Sequence, residues 1–266
     1  MVYFDSRLLQ GTRVAKVHSS DWAAFVSPNS GPTAYFNGAW HVNQVLYEQM
    51  LVRMCSVLGL SSRASESEIR SAIATGSFDK WWVYLPDESM RVLVMKLFPG
   101  CARHVLSPSQ EQACRKVMDG LHLSAGDSES LVAAKTAIKE WAQSIDGVVV
   151  EVYGAGNAQS AVQFVLRELH DVHFKPIAWV TECRAGGTSH GYAVAMKNGT
   201  GVNMNDCTAT CAYVKMQFLV ARAHRCEPAN AQWRRDYVEQ ELRVSYRGEL
   251  SDEDSKVYEA LRVTRY

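Results

Sequence analysis

The sequence lacks any run of about 18 apolar residues, so nothing in it reads as a membrane-spanning helix, and no membrane partner is expected. It also lacks an apolar signal core near its start, where Asp5 and Arg7 interrupt residues 1–10; that start predicts a cytoplasmic protein. There is no excess of charge of either sign. Lys plus Arg and Asp plus Glu both total 28, so no electrostatic footprint for nucleic acid stands out, and none is expected as a partner. No two cysteines stand in a Cys-x-x-Cys pair, and seven in the whole chain do not make a disulfide scaffold. In a reducing compartment they read as buried thiols, metal ligands or catalytic groups. A Walker loop, a Gly-x-Ser-x-Gly elbow, a His-Glu-x-x-His helix, internal repeats and low-complexity segments are all missing. No cofactor is expected.

What is present is ordinary globular material. The 266 residues are 47% hydrophobic and 21% charged, enough to bury a sizeable core. Ser27-Pro28-Asn29-Ser30-Gly31-Pro32 reads as a loop. Val42, Val45, Leu46, Met50, Met54 and Val57 recur at three- and four-residue steps, which predicts a helix over about residues 40–58, ended by Gly59. Further helices are predicted over about 65–76, 108–122 and 127–144, with an aromatic-rich strand over 78–85 and weak alternation over 90–97. The last 120 or so residues change character. Strands are predicted over 148–153 and 176–181, with a helical period over 158–170 between them. Residues 192–196 and 201–205 read as a hairpin around Asn198-Gly199. Residues 213–223 are apolar but ambiguous between strand and helix, and the charged tail from 232 is helical in part. Helices then strands imply an α+β fold. It would have a helical lobe over 1–145 and an antiparallel sheet lobe over 146–266.

One stretch carries a candidate chemistry. In Gly186-Gly187-Thr188-Ser189-His190-Gly191-Tyr192, a histidine stands at the entrance to a strand. The hairpin returns through Asn203-Met204-Asn205-Asp206, which brings Asn205 or Asp206 opposite His190. A histidine acting as general base must be held in one tautomer, and an adjacent amide or carboxylate does that. Gly187 and Ser189 would line a mobile loop near a substrate. The plainer alternative is a histidine that merely ends a strand.

This stretch resembles the second half of papain-like cysteine hydrolases, a group that includes viral leader proteases and the Josephin deubiquitinases. The resemblance implies a nucleophilic cysteine earlier in the chain, opening a helix whose dipole stabilises thiolate. The best matching start is Asn37-Gly38-Ala39-Trp40, followed by His41 and Val42, where leader proteases carry Asn/Gly-x-Cys-Trp. On that resemblance Ala39 occupies the nucleophile position, as the product of a Cys-to-Ala change in an inactive variant or as a native alanine. Asn37 would contribute to the oxyanion hole and Trp40 would wall the site. OTU deubiquitinases are similar around position 39 but differ after the histidine. Among the cysteines present, Cys101, after Pro99-Gly100, is the best substitute nucleophile. The function so implied is a cysteine protease cleaving peptide bonds, plausible in polyprotein processing. Its partner would be a protein or peptide substrate, or a ubiquitin-like protein if it is an isopeptidase.

Two rivals belong to other classes. Cys207, Cys211, His224 and Cys226 offer soft zinc ligands at irregular spacing, which would suit a zinc-containing interaction protein; buried thiols are the plainer reading. Val148-Val149-Val150-Glu151-Val152-Tyr153-Gly154-Ala155-Gly156 reads as strand, Gly-x-Gly turn and helix, as in dinucleotide-binding units. Gln159 then stands where the third glycine of that fingerprint belongs, and repeated βα units are not evident before it.

Overall fold

A computed structural model of the chain describes residues 1–250 apart from 22, 76–88, 155, 184–185, 189–199 and 246–247. The expected strand over 78–85 and the Asn198-Gly199 hairpin turn lie outside the described residues.

The chain begins with short antiparallel strands: β1 (Val2–Phe4), β2 (Arg7–Leu9), β3 (Ala15–Lys16), β4 (Phe25–Val26), β5 (Ala34–Phe36) and β6 (Trp40–Val42). Four of them form a sheet in the order β1-β2-β5-β6, and β3 pairs with β4. Helix α1 (Gln44–Val57) follows, and Asn43 caps it by accepting from the Leu46 N–H at 3.2 Å. The helix expected from residue 40 therefore starts four residues later. Trp40, His41 and Val42 are aromatic or β-branched, and they pair with β5 in register Phe36↔Trp40, Tyr35↔His41 and Ala34↔Val42. Helix α2 (Glu66–Ala74) packs Ile69 and Ala72 with Cys55 and Leu58 of the α1 end into a small core.

The larger unit is a parallel sheet. Its strands are β7 (Val92–Lys96), β8 (Gly147–Val152), β9 (Ile177–Thr181) and β10 (Val202–Asn203), in the spatial order β10-β9-β8-β7. Both central strands are apolar on both faces, as a sheet covered on both sides requires. Val148, Val150, Val152, Ile177 and Trp179 join one core; Val149, Ala178 and Val180 join the other. The first core is completed by α3 (Pro108–Met118), α4 (Ala125–Gln143) and α5 (Ser160–Arg167), which make the β7–β8 and β8–β9 crossovers. The second is completed by α6 (Ala209–Cys226) and α7 (Ala231–Leu242). Crossovers between parallel strands are right-handed, so strands that step one way across a sheet keep their connecting helices on one face.

Local sequence fixes the ends of these helices. Ser107 and Ser124 each form a capping box, with Gln110 and Asp127 respectively, and Pro108 opens α3. Thr208 and Asn230 cap α6 and α7. The α6 segment was ambiguous in sequence because it is apolar over 213–223; its 18-residue length and its cap make it a helix.

The fold corrects the α+β expectation of a helical lobe followed by an antiparallel sheet lobe. The antiparallel strands come first, and the second half is a three-layer α/β unit. The sheet draws β7 from before residue 145 and its other three strands from after it. Among the described residues, no helix is long and apolar enough to cross a membrane.

Candidate functional site at the carboxyl edge of the parallel sheet

In open parallel sheets, ligands bind in the crevice outside the carboxyl ends of the strands. Those ends carry Tyr153, Gly154, Gly156 and Asn157 after β8; Glu182 and Cys183 after β9; and Met204, Asn205 and Asp206 after β10. The β8 turn is held to β9 by the Thr181 hydroxyl, which donates to the Gly154 carbonyl and accepts from the Cys183 N–H. Gly154 and Gly156 take φ values of 46° and 129°, which glycine alone accommodates readily.

Helix α5 starts directly after this turn. Its cap residue, Gln159, makes no side-chain capping bond and its own first turn holds no acidic residue, while the hydroxyl of Ser160, its first residue, donates to the Asp119 carboxylate at 2.7 Å. The Tyr153 hydroxyl and Gln159 Oε1 are buried with no hydrogen-bond partner among the described residues. Burial pushes the Tyr153 phenol pKa up, and the neighbouring Cys101 and Glu182 add to the shift. Buried polar atoms are nearly always paired, so two orphans bracketing one glycine turn mark a place for water or a ligand.

The β10 end is organised differently. Asp206 is buried, and its carboxylate forms a two-point ion pair with the buried Arg13 guanidinium; Arg13 Nη1 donates to Asp206 Oδ1 at 3.0 Å. Arg13 Nη1 also reaches the Glu249 carbonyl at 3.3 Å, and Lys215 pairs with the Glu249 carboxylate at 2.7 Å. Asn29 bonds Gly186 at both of its backbone polar groups, donating to the carbonyl at 3.1 Å and accepting from the N–H at 2.8 Å. The N-terminal segment is thus clamped against the carboxyl edge of the parallel sheet. The Asn203 side-chain Oδ1 accepts from the Thr188 hydroxyl and, at 2.8 Å, from the Asn205 N–H. A Cβ at Gly187 would lie 2.1 Å from Asn205 Oδ1, so Gly187 is there for close packing rather than to line an open pocket.

Among the described residues, those expected to form a cysteine-protease site do not come together as one. Ala39 is in the exposed three-residue turn Asn37-Gly38-Ala39 of the β5–β6 hairpin, not at a helix start. Gly38 adopts φ 72°, and the Asn37 N–H donates to the Ala39 carbonyl at 3.0 Å, closing the turn. Trp40 is 52% exposed on strand β6, so it walls nothing among the described residues. Asp206 is committed to Arg13, and Asn205 sits in the left-handed region at φ 47°. Ser189 and His190 lie outside the described residues. Cys101 is buried in the first core. Cys211 and His224 are 13 residues apart on the same helix, about 20 Å by helical rise, so the four zinc candidates cannot surround one ion. The Cys207 thiol is held far above its usual pKa by its hydrogen bond with Cys211 and by burial, which keeps it protonated.

Sequence reasoning passed over Arg13, Asn29 and Glu249. No local pattern marks them, because the contacts that tie Arg13 to Asp206 and Glu249, and Asn29 to Gly186, span 157 to 236 residues. It also discounted the strand–glycine-turn–helix at 148–167, the one legible signal of this edge.

The glutaminase/asparaginase C-terminal domain matches residues 91–231, and the N-terminal asparaginase domain matches residues 1–48. The chain belongs to the glutaminase/asparaginase family. No curated protein matches its sequence. Its fold is similar to that of the thermostable L-asparaginase from Thermococcus kodakarensis (TM-score 0.53, 20% identity), covering 93% of this chain and 56% of that one. It is also similar to L-asparaginase I from Vibrio cholerae O1 biovar eltor (TM-score 0.55, 16% identity), with 94% and 56% covered. The chain thus spans little more than half the length of these solved asparaginases. Family membership overturns the papain-like resemblance, and with it the cysteine-protease and deubiquitinase functions and the protein, peptide or ubiquitin-like partner. A histidine before a strand and an Asn-Asp after it are too common a pairing to define a family. The nucleophile position that gave the resemblance its weight is a hairpin turn.

Proposed function

We propose that this protein serves hydrolysis of the side-chain amide of a free amino acid, L-asparagine or L-glutamine, releasing ammonia. The observation that carries this reading is the pair of family matches, in the order N-terminal then C-terminal domain, over 1–48 and 91–231. The carboxyl edge of the parallel sheet supports it. An amino acid presents a carboxylate, an ammonium and an amide within a few ångströms. The uncapped first turn of α5 suits the carboxylate. The unpaired Tyr153 hydroxyl and Gln159 carbonyl oxygen suit polar groups of the same molecule, with Glu182 nearby in sequence for an ammonium.

Amide hydrolysis also needs a nucleophile beside a base, and donors for the developing oxyanion. The Thr181 and Thr188 hydroxyls are both engaged in hydrogen bonds that hold the edge together, so their part in this proposal is positioning. A cytoplasmic location belongs to the same proposal. All seven cysteines are free, four of them buried, which suits a reducing compartment.

The test is ammonia release from L-asparagine and L-glutamine by the purified full chain, run beside calorimetric titration with each amino acid. Ammonia release, or saturable binding of either amide but not of L-leucine, supports the proposal. A folded protein that neither binds nor hydrolyses either amide overturns it.

A further inference from the structure

Helix α3 carries along one side a cavity of about 440 Å³ whose lining residues are not those of the carboxyl edge. Pro108, Glu111, Arg115 and Asp119 recur at three- and four-residue steps and so share that side of the helix. Arg103, from the short helical turn Cys101–His104, and Leu121 help to complete the lining. Glu111 is the buried member, with its side chain 5% exposed, and its carboxylate holds two guanidinium groups at once. Arg103 Nε donates to one carboxylate oxygen at 2.8 Å, and Arg115 Nη2 donates to the other at 2.6 Å. The hydrogen bond from Arg103 keeps the Glu111 carboxyl below its usual pKa despite burial, so the carboxylate stays ionised and both forks stay tethered. One cation would neutralise this glutamate; two leave the cluster with a positive charge in excess. Both arginine side chains remain more than half exposed, and each has further N–H donors unspent among the described residues.

We propose that this cavity binds the phosphate monoester of a small metabolite. Two forks tethered to the two oxygens of one carboxylate stand close enough together to grip a single anionic group between them. A carboxylate ligand has two oxygens to divide between two forks. A phosphate monoester has three and carries nearly two negative charges at neutral pH, which suits a cluster with positive charge in excess. Lys116, also in the lining, adds a cation to the same wall, itself tied to Asp127 at 2.7 Å. The cavity is far roomier than a bare phosphate requires, and the exposed Pro108 and Leu121 give it apolar surface for an organic body. The ammonium of a free amino acid would be repelled by the arginine pair, which separates this cavity from an amino-acid site. At its far end the Asp119 carboxylate accepts from the Ser160 hydroxyl at 2.7 Å, so the cavity borders the start of α5. The inference stands on the cavity alone and not on the proposed amide hydrolysis.

The test is calorimetric titration of the purified full chain in phosphate-free buffer. Adenosine monophosphate and glycerol phosphate are the probes; adenosine, glycerol, inorganic phosphate and L-aspartate are the comparisons. The expected result is saturable binding of at least one ester, none of adenosine or glycerol, and binding of inorganic phosphate and L-aspartate weaker on the order of tenfold. Arg103→Gln and Arg115→Gln, each of which leaves Glu111 one guanidinium partner, are each expected to weaken ester binding on the order of tenfold with the fold intact by thermal unfolding. Arg115→Lys keeps a cation beside Glu111 but offers no fork, so it is expected to lose nearly as much. It also carries the test should a glutamine variant fail to fold. Arg70→Gln, which removes an exposed arginine of α2, is expected to change nothing. Absence of ester binding, inorganic phosphate or L-aspartate binding as tightly as the esters, folded arginine variants that bind like the parent, or an equal loss with Arg70→Gln overturns the inference. None of these readouts uses turnover, so failure here is distinct from failure to bind or hydrolyse an amide.

Discussion

Arg13 and Asp206 are the residues on which the joining of the two ends of the chain depends. Both side chains are almost fully buried, at 4% and 6% exposure, and a buried charge stripped of its partner is costly. Arg13→Ala should destabilise the protein by about 3–5 kcal/mol, and replacing the pair together by Met and Leu should recover most of that. Urea unfolding midpoints of the unaltered protein and the two variants measure both effects. His170 poses a different question. Burial disfavours its charge, but hydrogen bonds to Glu239 and Asp171 outweigh that and raise its pKa above the ordinary histidine value. Its ring bonds Asp171 Oδ1 at 2.6 Å and a Glu239 oxygen at 3.1 Å, while Arg235 donates to the His170 carbonyl at 3.0 Å. A raised folded pKa means the stabilisation is fully present below the unfolded pKa and is lost as pH rises through the folded value. His170→Gln should therefore cost about 1–3 kcal/mol near pH 5.5 and progressively less toward pH 9. Thermal unfolding of both proteins across that range reads the difference.

At the scale of elements, the hairpins and strands show what a sequence discloses. The Val148–Tyr153 and Pro176–Thr181 segments are legible as strands, and the helix over 127–144 is legible from its apolar stripe, though its capping residue, Ser124, lies before that range. Pairing was not. An uninterrupted Val-Val-Val run says buried on both faces, and with helices between such runs it says parallel. The Asn198-Gly199 turn pulled the reading toward an antiparallel sheet instead. The same dipeptide at Asn37-Gly38 turns the β5–β6 hairpin, but the helical spacing of Val42, Val45 and Leu46 concealed it. Short strands carry too few residues to outvote a helical period that begins a few residues later. The junction of β9 and β10 offers a test. Gly201 adopts φ 80°, and a Cβ there would come within 2.6 Å of the Ile177 carbonyl oxygen. Gly201→Ala should cost about 1–3 kcal/mol, and hydrogen exchange should quicken in β10 before it does in β8.

For the whole molecule, the contacts that hold the carboxyl edge of the parallel sheet against the N-terminal segment join parts far apart in the chain, which one sequence does not reveal. Asn205, Asp206 and Gly187 were singled out and do lie together, but as a packed junction with the N-terminal segment. Position 39 is on the opposite kind of surface, an exposed hairpin turn. The glycine turn after β8, flanked by the unpaired Tyr153 hydroxyl and Gln159 oxygen, is where the family reading and the geometry of the parallel sheet meet.

The most direct test of that meeting is hydrogen–deuterium exchange of the full chain with and without L-asparagine, followed residue by residue over 153–163. The account predicts slowed exchange at the first N–H groups of α5 and in the β8 turn with L-asparagine or L-glutamine, and no change with L-leucine. Unchanged exchange across that segment at saturating amide, in a protein that is otherwise folded, would contradict it.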